Sequence, residues 1–393
     1  MGTLFRLALT GIAAILSANT LTAPPEATIK IACLTDLTGD CTLYGQDQLA
    51  GCRMAVDEAN KAGGIHGTKI ELIVKDTRSN RDDAKAAAES VADQPISAIV
   101  GTIWNSRASV VAQTVLPYSI PVFYPGPMLA DQQPAQNLIR TSSAFHDEAV
   151  AMATFAIQNL KLKRIAVVTQ TEIPSSVEMS DTFCRKITSL GHPAILKRFE
   201  NYDFNGIPDF EPLIQSIKKA NPDAVYISDL FLQAGPTIRL LREAGVKATI
   251  LGTSNLDNDT VLWNFKPGAS PIYFTTACAF DSPNLKSFAQ RWLANHDQKP
   301  PNSDEALTAY DATNVAIEAI RSSKRTDPQS VLLAAQGISN FAGVTGTITV
   351  KGQPASPCSR IDIVKVKSTA KKARINPASQ WQSYVASFNP QKL

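Results

Sequence analysis

The sequence predicts an α/β protein built from two Rossmann-like, doubly wound lobes, and three observations carry that reading. Apolar strand segments alternate with amphipathic helices along most of the chain. Segments such as Ile165–Val168 (IAVV) are apolar at every position, as strands covered on both faces are. About ten such units are too many for one small sheet, which usually holds four to six strands.

The elements follow in order. Ile29–Thr35 reads as a buried strand. Gln46–Lys61 has helical period, with Leu49, Cys52, Ala55, Val56 and Ala59 on one stripe, and Gly63-Gly64 ends it. Lys69–Asp76 is a strand, Arg81–Ala92 a helix and Ala98–Gly101 a short strand. Ser106–Leu116 is a helix closed by Pro117, and Pro121–Tyr124 is a strand. The pattern continues with helix 147–160, strand 164–169, helix 177–189, strand 194–199, helix 209–220, strand 223–228, helix 233–244 and strand 248–252. Strand 271–276 and helices 284–295, 304–323 and 328–336 come next. Strands 346–350 and 360–366 flank a Gly-Gln-Pro turn. The tail from Ser368 is basic at first, then carries Trp381 and Tyr384, and is expected to pack in part across the second lobe.

Composition excludes several classes. The 393 residues are 44% hydrophobic and 19% charged, which is ordinary for a folded protein and wrong for a disordered one. Lys+Arg minus Asp+Glu is 38 − 35 = +3, which leaves no electrostatic footprint for nucleic acid. Six cysteines do not make a disulfide scaffold in a chain of this size.

Residues 1–27 are a separate object. One charge, Arg6, precedes the apolar run Leu7–Ala18, and a small, polar stretch with Pro24-Pro25 follows, the signature of a secretory signal peptide. The run is shorter than the roughly 20 residues a membrane span needs. A buried helix of the mature fold is the alternative. On the first reading the mature protein is exported, to the periplasm or beyond. Export permits disulfides, of which Cys41–Cys52 is the preferred pair and Cys278–Cys358 a weaker one.

Catalytic signatures are missing. No GxGxxG follows a strand, and neither GxxxxGK[ST] nor GxSxG occurs. His66, His146, His192 and His296 are scattered, without a partner one helical turn away, so no metal or cofactor is expected. Asp257-Asn258-Asp259 lacks the glycine and distal glutamate of a calcium loop. An exported two-lobed protein without catalytic apparatus suggests a ligand trap. Ligands of open α/β sheets sit beyond the carboxyl ends of the strands, and two facing lobes enclose one cleft.

Several segments then match one family. IACLTDLTGDCTLYGQDQLAGCRMAVDEANKAGGIHGTKIELIVKDTRSN (31–80), AIVG (98–101), PVFYPG (121–126), NPDAVYIS (221–228), RLLREAGVKATILGT (239–253) and GVTGTITV (343–350) resemble the type I periplasmic solute-binding proteins, in the branched-chain amino-acid and amide/urea branch of ABC importers. The resemblance implies two lobes joined by three crossovers, near Thr141–Ala144, Thr275–Ala277 and Thr345–Val350. Lobe 1 would be residues 28–143 plus 276–347, and lobe 2 residues 144–275 plus 348–393. It also implies a non-enzymatic, monomeric receptor that carries a small organic solute (amino-acid-like, amide or carboxylate) to a membrane permease. The alternative is a module that reports ligand occupancy to a regulatory partner.

The same resemblance nominates site residues. The turn after Gly101 offers Trp104 as a flat wall, and Asn105 and Ser106 as donors at a helix start, with capping alone as their other reading. The turn after Phe123 offers Tyr124, Pro125 and Gly126. Met128 stands where amino-acid binders have a threonine, and Pro174 where they have a tyrosine. Leu230, flanked by Asp229 and Phe231, takes the next aromatic position. Ser254 falls where the family places the acidic partner of a ligand ammonium. A buried ammonium needs a carboxylate, so these departures lead to the expectation of a neutral or carboxylate-bearing solute with an apolar part.

Overall fold

A computed structural model describes residues 28–129, 135–192, 210–228, 231–257, 270–352, 356–367 and 382–393. The signal-peptide segment, strand 194–199 and Trp381 lie outside the described residues.

The first sheet holds β1 (Ile29–Thr35), β2 (Ile70–Asp76), β3 (Ile96–Gly101), β4 (Val122–Tyr124) and β5 (Leu138–Arg140) in the order β2-β1-β3-β4-β5, all parallel. Around it lie α1 (Thr42–Lys61), α2 (Arg81–Ala92) and α3 (Asn105–Val115). The second sheet has the order β13-β12-β9-β8-β7-β6. Its strands β6 (Ile165–Val168), β7 (Ala224–Ile227), β8 (Thr249–Gly252) and β9 (Ile272–Thr276) are parallel; β12 (Ile361–Val366) and β13 (Gln382–Phe388) are antiparallel. Helices α4 (Phe145–Thr154), α5 (Pro174–Ser189), α6 (Glu211–Ala220) and α7 (Phe231–Glu243) cover it. Three more helices follow β9: α8 (Lys286–Asn295), α9 (Glu305–Ser322) and α10 (Pro328–Ala335). The short pair β10 (Phe341–Ala342) and β11 (Thr347–Ile348) comes after them.

The two-residue strand period explains why each sheet is covered on both faces. Ile31 and Cys33 enter one core with Ala98, Val100 and α9, while Ala32 and Leu34 enter the opposite one with Ile99, α2 and α3. In the second sheet Ala166 and Val168 face α6 and α7, and Ile165 and Val167 face α4 and α5. Four apolar cores on two sheets are the doubly wound arrangement that the apolar strands predicted.

The chain leaves the first sheet after β5 and enters α4, which packs on α5, β9 and β12. It returns after β9, and α9 packs along α1 and against β3 and β4. The last passage comes later than Thr345–Val350. Ile348, Val350 and Cys358 still pack in the core of α1 and α9, so the change of sheet falls between Cys358 and Ile361.

One local expectation is corrected. Helix α1 begins at Thr42, four residues early, because Tyr44 and Gly45 form its first turn rather than a loop. β5 carried too short an apolar run to stand out. The described part of the tail packs on the second sheet as expected, where Gln382–Phe388 is its edge strand with Ala386 opposite Ile363. The cysteine pairing also changes. All six are free thiols, and Cys52 Sγ lies 3.7 Å from Cys33 across the β1–α1 core, not beside Cys41. Cys41 instead accepts from Trp104 Nε1 at 3.0 Å. Cys278 and Cys358 donate to the carbonyls of Val344 and Thr345.

Candidate functional site

The carboxyl ends of both parallel sheets open onto one cleft. Loop by loop, the first sheet contributes Tyr44 after β1, Ile103 and Trp104 after β3, Tyr124–Pro127 from the end of β4, and Ser142-Ser143 after β5. The second contributes Ser254 and Asn255 after β8 and Ala277 after β9. The starts of α4 and α9 complete the lining with Phe145, Glu148, Asp304, Glu305 and Thr308.

Backbone geometry fixes the aromatic wall. Tyr44 and Trp104 meet edge to face, with ring centroids 6.3 Å apart and planes at 71°. Tyr124 is buried, and its single hydroxyl proton is shared between the carbonyls of Pro127 (3.2 Å) and Ile103 (3.4 Å). Its hydroxyl thus ties the two first-lobe loops together. Gly126 makes this possible, since a Cβ there would lie 2.4 Å from the Tyr124 hydroxyl. Beneath the wall, Arg107 of α3 forms a buried ion pair with Asp36 at 2.9 Å, and Thr77 and Ser79 also donate to Asp36.

The carboxylates arrive from both sides. Glu148, 3% exposed, sits in the first turn of α4 and accepts from the amide and hydroxyl of Ser254 at 2.9 Å each and from Thr275 Oγ1 at 2.7 Å. Burial pushes it up to about 6 in spite of these donors. Asp304 accepts from Thr276 Oγ1 (2.7 Å) and from the amide of Ala277 (2.6 Å). Asp47 of α1 grips the preceding turn through Ser303 and Asn302, which sets the start of α9. Glu305, the first residue of α9, is half-buried, and its carboxylate has no hydrogen-bond or ion-pair partner among the described residues. Enclosure raises its pKa well above the carboxylate range, and the fields of Asp304, Asp257, Asp47 and Glu148 add to this. Thr276 Oγ1 also lies 3.1 Å from Asp257. One hydroxyl proton serves one carboxylate, so both contacts are hydrogen bonds only if one carboxyl stays protonated. Asp257, pushed well up by burial and then by Asp304, is that group.

Of the nominated residues, Trp104, Tyr124, Pro125, Gly126 and Ser254 line the cleft. Asn105 and Ser106 do not: α3 starts at Asn105 with Trp104 as its N-cap, Ser106 faces solvent, and the Asn105 carboxamide accepts from the Ser106 amide. Met128 turns into the core with Tyr124, leaving Pro127 at the cleft. Pro174 is exposed at the start of α5. Asp229 and Leu230 lie outside the described residues, as does the side chain of Phe231.

The expectation of a neutral or carboxylate-bearing solute rested on Ser254 standing where a carboxylate belongs. In the fold that serine donates to Glu148, 106 positions earlier, so a carboxylate is present at the same end of the cleft. Sequence reasoning missed Glu148, Asp304 and Glu305 because they sit at helix starts rather than at the strand ends where ligand residues were sought. For Glu148 the predicted crossover at Thr141–Ala144 was the available signal. A more open depression is lined by Phe288, Arg291 and Ser387; its Arg360 is already paired with Asp362.

Known proteins share this architecture. The Leu/Ile/Val-binding protein BraC3 of Rhizobium johnstonii is 26% identical over 328 residues, covering 82% of this chain and 88% of its own. The leucine-, isoleucine-, valine-, threonine- and alanine-binding protein of Pseudomonas aeruginosa is 24% identical, covering 82% and 85%. Among solved structures, the leucine-binding protein LivK of Thermotoga maritima superposes with a TM-score of 0.77 at 24% identity, over 93% of this chain and all of that one. A solute-binding protein of an ABC transporter from Rhodopseudomonas palustris, in complex with 3,4-dihydroxybenzoic acid, gives 0.74 at 20% identity, over 92% and 98%. The family model described as periplasmic binding protein matches residues 28–372. The chain therefore belongs to the periplasmic binding proteins, with their type I fold.

Proposed function

We propose that this protein is exported to the periplasm, where as a monomer it binds a small organic solute of amino-acid size and hands it to the membrane permease of an ABC importer. The carrying observation is the cleft itself: strand ends from two separate sheets converge on one polar and aromatic lining. Hinged lobes bury a solute between them, and the closed pair presents a surface that neither lobe has alone. Affinity then comes from desolvation against Tyr44 and Trp104, with the hydroxyls of Ser142, Ser143 and Thr308 and the nearby carboxylates fixing orientation. The names of the relatives, which bind leucine, isoleucine and valine, support the size class of the solute.

Native mass spectrometry of the purified protein tests this reading. The expected result is a one-to-one complex with a small molecule that is released chemically unchanged on unfolding. Turnover of the bound compound, or a complex with nucleic acid, would contradict it.

A further inference from the structure

The charge of the cleft is one-sided. Three of its lining residues are acidic, Glu148, Asp304 and Glu305, and the described lining contains no lysine, arginine or histidine. Two of the three are already supplied with donors from the protein: Glu148 from Ser254 and Thr275, Asp304 from Thr276 and Ala277. Glu305 has none among the described residues, although Asp47 anchors the turn that places it at the cleft. The two glutamates also belong to different halves. Glu305 starts the helix that packs along α1, and Glu148 lies on the helix that packs on β9 and β12.

Glu305 and Glu148 line one cleft, one from each lobe, and the field of Glu148 is among those that disfavour ionisation of Glu305 while the cleft is empty. A cation between them offsets that field and gives each an opposite charge. The neighbouring Tyr44 and Trp104 rings offer π faces that favour the same sign.

Building on the solute-binding reading, we infer that the cognate solute carries net positive charge, and that its ammonium group is clamped between Glu305 of the first lobe and Glu148 of the second. The carboxylate lost from position 254 is replaced from α4, and Glu305 adds a second one that tips the balance from zwitterion to cation. Helix starts at α4 and α9 favour the ionised form of both glutamates, and a bound ammonium would act in the same direction.

The test is a charge series on fixed carbon skeletons, titrated calorimetrically into the purified protein. One series is isopentylamine and leucinamide (cations), leucine (zwitterion) and isocaproate (anion). The other is tyramine, tyrosine and phloretate. The expected result is that, in at least one series, the cations bind about tenfold or more tightly than the zwitterion and the anion, the usual weight of a charged hydrogen bond. Glu305→Gln should abolish that preference while leaving the thermal midpoint unchanged or higher, because Glu305 holds no other group in place. Equal or tighter binding of the zwitterion or the anion overturns the charge inference and leaves solute binding intact. Retention of the preference in Glu305→Gln overturns the clamp. Absence of binding by every compound in both series overturns the inference and the solute-binding reading together.

Discussion

Gly51 shows what a single missing side chain does for this fold. It lies on α1 where α9 crosses, and a Cβ there would sit 2.1 Å from the carbonyl oxygen of Ala306. Alanine inside a helix is normally worth up to about 1 kcal/mol over glycine, so propensity alone favours Gly51→Ala. The clash is with backbone and cannot be relieved by a rotamer change; overpacking of this kind costs about 1–3 kcal/mol. The substitution is expected to lower the thermal midpoint, and because Ala306 follows Glu305, to weaken solute binding as well. A raised midpoint would show that propensity wins and that the helices separate at little cost. In the sequence Gly51 is one small residue within the helical stretch Gln46–Lys61. Its role is interhelical, which only the proximity of α9, some 255 positions along the chain, discloses. Ser254 and Glu148 teach the same lesson: each is legible as a residue type, but their pairing across 106 positions is a product of topology.

At the scale of elements, strand and helix periodicity located nearly every described element, with ends displaced by a few residues. Arg81–Ala92 and Ile29–Thr35 agree to the residue, because Asn80 caps the helix through the Asp83 amide and the strand is apolar from end to end. The tail was harder to read. β13 has a mixed pattern, since an edge strand has one neighbour and one partly wetted face. It nonetheless reaches the site: Gln382 at its start donates to Asp257, and the amide of Tyr384 donates to Asp281 at 3.0 Å. Truncation after Lys367 should therefore leave β12 as an unpaired edge, lower the thermal midpoint by several degrees and promote aggregation. An unchanged midpoint with monomeric behaviour would mean that β13 is dispensable decoration.

At the scale of the molecule, buried acids set the response to pH. Burial raises Asp47 to about 7, Glu148 to about 6 and Asp311 to about 6, from ordinary carboxylate values. For such groups the folded state binds protons more tightly than the unfolded state. Between the unfolded and folded values the native protein holds more protons, so stability rises as pH falls through that window. Asp76 and Asp223, held low by hydrogen bonds, act with the opposite sign, but only below the usual carboxylate range. The unliganded protein should thus have a higher thermal midpoint at about pH 5.5 than at about pH 8, the reverse of a protein stabilised by surface ion pairs. A midpoint that rises from about pH 5.5 to about pH 8 would contradict the buried-acid account. The two-lobed architecture itself was legible because strand burial and unit count are properties of the chain. The acidic character of the cleft was not, because its three carboxylates come from two helix starts, at α4 and α9, that lie far apart in the chain.

Lobe closure on a solute is the claim on which the rest depends. Lys85 on α2 and Lys218 on α6 are exposed and belong to different lobes, and all six native cysteines are buried. Spin labels on Lys85→Cys and Lys218→Cys report the distance between the lobes by pulsed electron paramagnetic resonance. The measurement compares protein stripped of small molecules by unfolding and refolding with the same protein after its own extracted solute is returned. The account predicts a broad distribution that narrows and shortens when the solute is added back. A distribution that stays the same with and without it would contradict the account.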